Sequence, residues 1–178
     1  TEFGFQIDLQ SCESLMRDGS KSFFSAAKIL PTKIRDSAIA LYAFCRMLDD
    51  LVDDSHATED VIRQIEYRLD RIYAKNPVAI PADRALAIVV ERFLIPRDIL
   101  EALIEGFRWD QTGRQYHSID QLCEYAARVA STVGAMMTLI MGVRDRMILE
   151  RACELGIAMQ LTNIARDVGE DARNQRLY

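Results

Sequence analysis

Two short stretches gather carboxylates where helix electrostatics would keep them apart. The first is YAFCRMLDDLVDD, Tyr42 to Asp54. Tyr42, Arg46, Asp49 and Asp53 are spaced i, i+4, i+7 and i+11. At about 100° per residue they fall in a fan of roughly 60° on one helix face. Leu41, Cys45, Leu48 and Val52 form an apolar stripe on another face. A helix C-terminus carries roughly half a negative charge, so each carboxylate there is unfavourable by about a few tenths of a kcal/mol. Asp49 and Asp53 also repel each other at i, i+4. Arg46 offsets part of this, and a bound cation would reverse the balance. Oxygen ligands favour Mg²⁺ over zinc, with Mn²⁺ the alternative. The competing reading is a solvated acidic helix end capped by Ser55.

The second stretch is QLTNIARDVGED, Gln160 to Asp171. Gln160, Asn163, Asp167 and Asp171 share a fan of roughly 80°. Ile157, Met159, Leu161, Ile164, Ala165 and Val168 surround that line. A helix apolar on most sides is expected to be buried. Buried amides and carboxylates need partners, which predicts a polar cavity. Two helices, each with an Asp pair at i, i+4, would hold divalent metal ions at opposite rims of one cleft. Magnesium keeps several waters and is commonly completed by substrate phosphates, so a diphosphate is the expected ligand. Arg46, with Lys21 or Arg166, supplies the guanidinium or ammonium for its oxygens.

The elements that must position these residues are helical. Gly occurs 8 times and Pro 4 times in 178 residues, and helical periodicity dominates. The spacing predicts helices near 8–17, 22–29, 33–54, 59–75, 82–94, 97–110, 119–141 and 145–172. Pro31 and Pro96 open helices, and Asn76-Pro77 with Ile80-Pro81 marks a loop. No repeat or long linker divides the chain, so one all-α domain over 1–178 is expected. The net charge of -5 provides no basic field for nucleic acid. No apolar run reaches the ~20 residues of a membrane span, and the first ten residues lack a signal-peptide pattern. Cys12, Cys45, Cys123 and Cys153 are scattered and read as reduced thiols. A cytoplasmic protein is the expectation.

On GSKSFFSAAKILP (Gly19–Pro31), LYAFCRMLDDLVDD (Leu41–Asp54), YAARVASTVG (Tyr125–Gly134) and GIAMQLTNIARDVGEDARNQRLY (Gly156–Tyr178), the chain resembles the squalene and phytoene synthase family. These are head-to-head trans-isoprenyl diphosphate synthases. The resemblance implies an isoprenoid synthase bundle around a central apolar cavity, incomplete here at its C-terminal end. It implies that Asp49, Asp53, Asp167 and Asp171 bind Mg²⁺ and two prenyl diphosphates, with Asn163 at a metal-site position. Arg46, Tyr125 and Gln160 match positions near the substrates. Ser20 to Phe23, including Lys21, matches a flexible flap at the diphosphate. Arg166 lies in the matched motif, although its helical angle diverges from the Asp line.

The implied reaction condenses two geranylgeranyl diphosphates to phytoene through a cyclopropyl diphosphate, without a nicotinamide. The alternatives are a squalene-type or hydroxysqualene/presqualene synthase using farnesyl diphosphate, and a non-catalytic helical relative. Phe23, Tyr42 and Phe44 could shelter a cation if they line the cavity; Phe44 lies off the line and reads as core. Asp50 and Asp54 read as support rather than ligands, and His56 and His117 as surface loop residues. Ser131 to Gly142, rich in Met and small residues, reads equally as close packing or as cavity wall. Asp110 either caps a turn or faces the cleft. Long prenyl tails suggest peripheral membrane contact, and the acidic balance makes any such contact apolar and local.

Overall fold

The computed structural model describes residues 2–53 and 59–173. All of its elements are helical. The chain forms two compact units, Thr1–Pro96 and Arg97–Tyr178.

The first unit contains α1 (Glu2–Gly19), α2 (Lys21–Ala27), α3 (Thr32–Asp53), α4 (Glu59–Tyr73) and α5 (Pro81–Phe93). α1 starts earlier than the spacing predicts, because Phe5, Leu9, Cys12 and Met16 continue one buried stripe through Gly4. α3 packs against α1 and α5. Its side chains Leu41, Phe44 and Leu48 are buried, as are Ile62, Ile65, Leu69 and Ile72 of α4 and Leu86 and Val89 of α5. Phe44 is thus core, as its angle predicts. Pro81 stands in the first turn of α5, where its missing N–H costs no hydrogen bond. Asp54, Ser55 and His56 lie outside the described residues, and so does the side chain of Asp53.

A buried ion pair ties the first unit together behind the acidic line. Arg68 of α4 donates from Nε to Asp83 Oδ2 at 2.9 Å and from Nη2 to Oδ1 at 2.5 Å. Asp83, in the first turn of α5, is fully buried. The same Arg68 Nη2 lies 3.5 Å from Met47 Sδ, and its guanidinium sits over the Phe44 ring at 5.8 Å. One bidentate pair therefore joins α4 to α5 and touches the α3 residues that flank Arg46.

The second unit contains α6 (Arg97–Gln111), α7 (Ile119–Ala126), a π-helical turn (Ala127–Ser131), α8 (Thr132–Ile140) and α9 (Arg146–Arg173). The predicted helix 119–141 is therefore one path with a wider turn in its middle. Thr132 Oγ1 donates to the Arg128 carbonyl at 2.6 Å inside that turn. Leu100, Leu103, Ile104 and Phe107 of α6 are buried with Met136, Leu139 and Ile140 of α8. In the stretch Ser131 to Gly142 the side chains of Met136 and Ile140 are almost completely buried, which is the packing role.

Removing one member of the Arg68–Asp83 pair leaves a buried charge without its partner. Asp83→Asn is expected to lose about 3–5 kcal/mol of stability, whereas replacing both residues by apolar ones of similar volume costs far less. Urea denaturation of the two variants checks this.

Candidate functional site

The first acidic line stands on α3 as its spacing requires. Arg46 Nη2 lies 2.6 Å from Asp50 Oδ1, and Arg46 Nη1 lies 3.5 Å from Asp49 Oδ2. The guanidinium thus spans two carboxylates near the end of the helix. Asp50 is the nearer partner, which fits its reading as support. Upstream on the same line, Tyr42 faces the end of α1. A Cβ at Gly19 would come within 2.6 Å of the Tyr42 hydroxyl and 3.5 Å of Arg46 Cδ. Only glycine lets the chain pass so close to that hydroxyl. Burial pushes the Tyr42 phenol above its ordinary range; Arg46 opposes the shift, and Asp49 and Asp50 reinforce it. Tyr42 therefore stays a hydroxyl donor at neutral pH.

The segment after Gly19 is a capped helix. Ser20 is extended, and its Oγ accepts from the Phe23 N–H at 3.3 Å. The cap places Phe23 with its ring centroid 6.0 Å from that of Tyr42 at an interplanar angle of 55°. Phe23 is still 54% exposed, and Lys21 is exposed beside it. α2 thus brings Phe23 to Tyr42 of α3, whose line continues to Arg46 and Asp49, while Ser20 caps α2 and Lys21 opens it.

The second line runs along α9. Gln160, Asn163, Asp167 and Asp171 are all partly shielded, on the side of the helix that also carries the buried Gly156 and Ile164. Arg166 donates from Nε to Asp167 Oδ1 at 2.7 Å and from Nη2 to Oδ2 at 2.6 Å. Those hydrogen bonds hold the Asp167 carboxyl below its ordinary range, against a smaller opposing effect of burial. Arg166, off the line by angle, thus bends back onto it.

One expectation for α9 fails. The helix is not buried on most sides: Met159 is 49% and Val168 61% exposed. Periodicity identifies which residues share a face, but not which face is covered. The covered side here is the one that meets the π-helical turn and α8. The contact there is very close. A Cβ at Gly156 would lie 2.7 Å from the Ala130 carbonyl oxygen, and one at Gly134 would lie 2.7 Å from that of Ala152. Ser131 Oγ donates to the Cys153 carbonyl at 2.7 Å across the same seam. Backbone-to-backbone approach sets the register of α9, and with it the direction of the Asp167 line.

Tyr125 is buried, and its hydroxyl donates to Asp110 Oδ2 at 2.8 Å. Asp110 thereby anchors α7 to the end of α6. Its neighbour Trp109 lies between two guanidiniums, Arg114 at 3.7 Å and Arg128 at 4.0 Å from the ring centroid. Arg128 also donates to Glu105 at 2.9 Å. Sequence periodicity missed this cluster because its members come from three elements. The run of Trp, Arg and Tyr around the Thr112–Ser118 loop is the only signal it left. His117 is exposed in that loop, as expected.

Among the described residues no three metal-type side chains converge. Two of the carboxylates that could hold a cation, Asp49 and Asp167, are in contact with guanidiniums. Their chemistry nevertheless suits a hard divalent ion: Asp49, Asp167, Asp171 and the Asn163 amide offer oxygen only. No described helix is long and apolar enough to cross a membrane.

A helical fold with aspartate-bearing helices of this kind defines a class, that of isoprenoid synthases. A solved dehydrosqualene synthase superposes with a TM-score of 0.89 at 37% identity, covering 98% of this chain and 61% of that one. The squalene synthase HpnC from Alicyclobacillus acidocaldarius gives 0.89 at 28% identity, with 98% and 66% covered. The Squalene/phytoene synthase family profile matches residues 16–178, and the chain belongs to that family. It is 52% identical to the phytoene synthase of Rhodobacter capsulatus, over 97% of this chain and 52% of that protein. It is 42% identical to the 15-cis-phytoene synthase of a Paracoccus species, over 96% and 59%. The chain therefore spans a little over half the length of these curated relatives.

Two measurements follow from this geometry. Gly156→Ala forces backbone apart at the α9 seam and is expected to cost about 1–3 kcal/mol, read from thermal melting. Burial pushes the thiols of Cys12 and of Cys45, which adjoins Asp49, from 9.0 up to about 12. In that range the native state keeps protons that the unfolded chain has lost, so stability falls as pH rises from about 9 to 12. At pH 8 both native thiols should react with a disulfide reagent at least about a hundredfold more slowly than in denaturant.

Proposed function

We propose that this chain carries both acidic motifs of a magnesium-dependent prenyltransferase. The reaction is head-to-head condensation of two geranylgeranyl diphosphates to phytoene through a cyclopropyl diphosphate. The observation that carries the reading is 52% identity to a phytoene synthase along almost the whole chain, with both Asp pairs kept on helices α3 and α9. A pure scaffold has no use for the repulsion within those pairs. The two units are read as parts of one catalytic domain over 1–178, in which both lines serve the same diphosphate chemistry.

Asp49, Asp53, Asp167 and Asp171, with Asn163, would hold the metal ions, whose chemistry is to stabilise charge on the departing diphosphate. Arg46 is already positioned by Asp50 and can turn its fork from Asp49 to phosphate oxygens. Lys21 and Ser20, at the start of α2, add donors for phosphate oxygens in the first unit, and Arg166, beside Asp167, adds them in the second. Gln160 and Tyr125 stand near the substrates in this reading. The faces of Phe23 and Tyr42 shelter the allylic cation after ionisation, and apolar walls keep water from it. Released diphosphate accepts the final proton. The protein is cytoplasmic, with peripheral membrane contact suited to its prenyl substrates.

A second reading, a squalene-type condensation of farnesyl diphosphate, is favoured by the superposition on a dehydrosqualene synthase. Product mass from geranylgeranyl or farnesyl diphosphate, with and without a nicotinamide reductant, separates the two. Magnesium-dependent binding of a prenyl thiodiphosphate, measured by calorimetry, tests the site independently of turnover. Asp49→Asn and Asp167→Asn should each lower kcat by about a hundredfold or more while helical circular dichroism is retained. Undiminished turnover and binding in both variants would reject the metal assignment.

A further inference from the structure

The π-helical turn Ala127–Ser131 interrupts the path from α7 to α8 without ending it. Such a turn holds one residue more than an α-helical turn, and it is rare enough to need support from its surroundings. Here the Thr132 N–H reaches the Ala127 carbonyl, five residues back. The Arg128 carbonyl, four residues back, receives the Thr132 hydroxyl at 2.6 Å. Thr132 is buried. Thr138 makes a similar bond to the Gly134 carbonyl at 2.9 Å, but within regular α8. At Thr132 the hydroxyl stands in for the residue's own N–H, which an α-helix would have aimed at the same carbonyl.

The turn is clasped from two sides. A Cβ at Gly106 of α6 would come 2.6 Å from Val129 Cγ1 and 3.1 Å from Arg128 Cβ. A Cβ at Gly156 of α9 would come 2.7 Å from the Ala130 carbonyl oxygen and 2.8 Å from the Ser131 nitrogen. Toward its start, Tyr125 and Arg128 are tied to α6 through Asp110 and Glu105. At its end, Ser131 is tied to the Cys153 carbonyl of α9. The turn is thus the surface on which α9 is seated, with α6 behind it.

The seat bears directly on the acidic line. Gln160, Asn163, Asp167 and Asp171 follow Gly156 by 4, 7, 11 and 15 residues. At about 100° per residue, all four lie within roughly 60° of Gly156. The face that rests on the turn is therefore the face that carries the line. A rotation of α9 at the seat redirects every member of the line together. Ligating groups tolerate only about 10–20° of such error.

We propose that Thr132 is a positioning residue for the metal- and diphosphate-binding line of α9. Its hydroxyl holds the π-helical turn, the turn seats Gly156, and the seat fixes the direction of Asn163, Asp167 and Asp171. The assignment rests on the reading of that line given above and adds the residue that aims it.

The test is calorimetric titration of a prenyl thiodiphosphate at a series of Mg²⁺ concentrations, with thermal melting in the absence of metal. Thr132→Val keeps the side-chain shape and removes the hydroxyl. It should raise the Mg²⁺ concentration for half-maximal binding by about ten- to a hundredfold. Thr132→Ser should restore the parent value. Thr138→Val loses a comparable buried bond in a regular helix, so its Tm should fall by a similar amount while its Mg²⁺ midpoint stays at the parent value. Deletion of Ala130, which returns the turn to α-helical width, should keep the helical circular dichroism and abolish binding. Equal midpoints for the two valine variants, or binding retained after the deletion, would overturn the proposal and leave the metal reading of the Asp line standing. Loss of helical circular dichroism in both Thr132→Val and the deletion would make the turn a requirement of folding and overturn it as well. A parent protein without magnesium-dependent binding would overturn both readings.

Discussion

Arg46 sits against Asp49 and Asp50 where the α3 dipole is most negative. The rest of the site depends on that contact. Carboxylates at this end of a helix oppose both the dipole and one another. A cation offsets part of that cost, and Arg46 supplies one from within. The second line repeats the arrangement with a different spacing: Arg166 holds Asp167 from the adjacent position. In each unit a guanidinium occupies oxygen that could serve a metal ion.

Helices under such electrostatic load need firm anchoring, and the two units achieve it differently. In the first, a buried bidentate pair between Arg68 and Asp83 joins α4 to α5 and touches Met47 and Phe44. Truncating either partner strands a charge, so the pair enforces geometry more than it adds net stability. In the second, close backbone contact does this work. Gly134 and Gly156 let backbones meet at a distance no Cβ allows, and Ser131 adds a hydrogen bond to the Cys153 carbonyl. Small residues fix the rotation and the rise of α9 together, and the direction of the Asp line follows.

Much of this was legible in the sequence, for a physical reason. The helices of α3 and α9 follow from apolar periodicity, and their polar lines follow from the same 100° step. The loop marked by Asn76-Pro77 and Ile80-Pro81 follows from local backbone chemistry that needs no tertiary partner. What could not be read depends on neighbours distant in the chain. The apolar residues of α9 predicted a buried helix, but Met159 and Val168 are exposed because coverage is decided by packing, not by composition. The Asp110–Tyr125 hydrogen bond and the stacking on Trp109 join elements across a loop whose path no periodicity encodes. The π-helical turn is likewise invisible, because one extra residue in a turn leaves the apolar pattern almost intact.

The guanidiniums do not close the site to a metal ion, and the magnitudes show why. Arg46 and its two partners are each about half exposed, and ion pairs of that kind contribute roughly 0–1 kcal/mol. A divalent cation bridged to a diphosphate gains far more from the same oxygens than an arginine does in water. The freed guanidinium then meets a phosphate, a better partner for its fork than a single carboxylate. On the proposed reading, exchange would be downhill at both ends when metal and diphosphate arrive together, and weak for either alone. An arginine resting on aspartate eases the repulsion at this helix end and, at so small a free energy, would compete only weakly with a divalent ion.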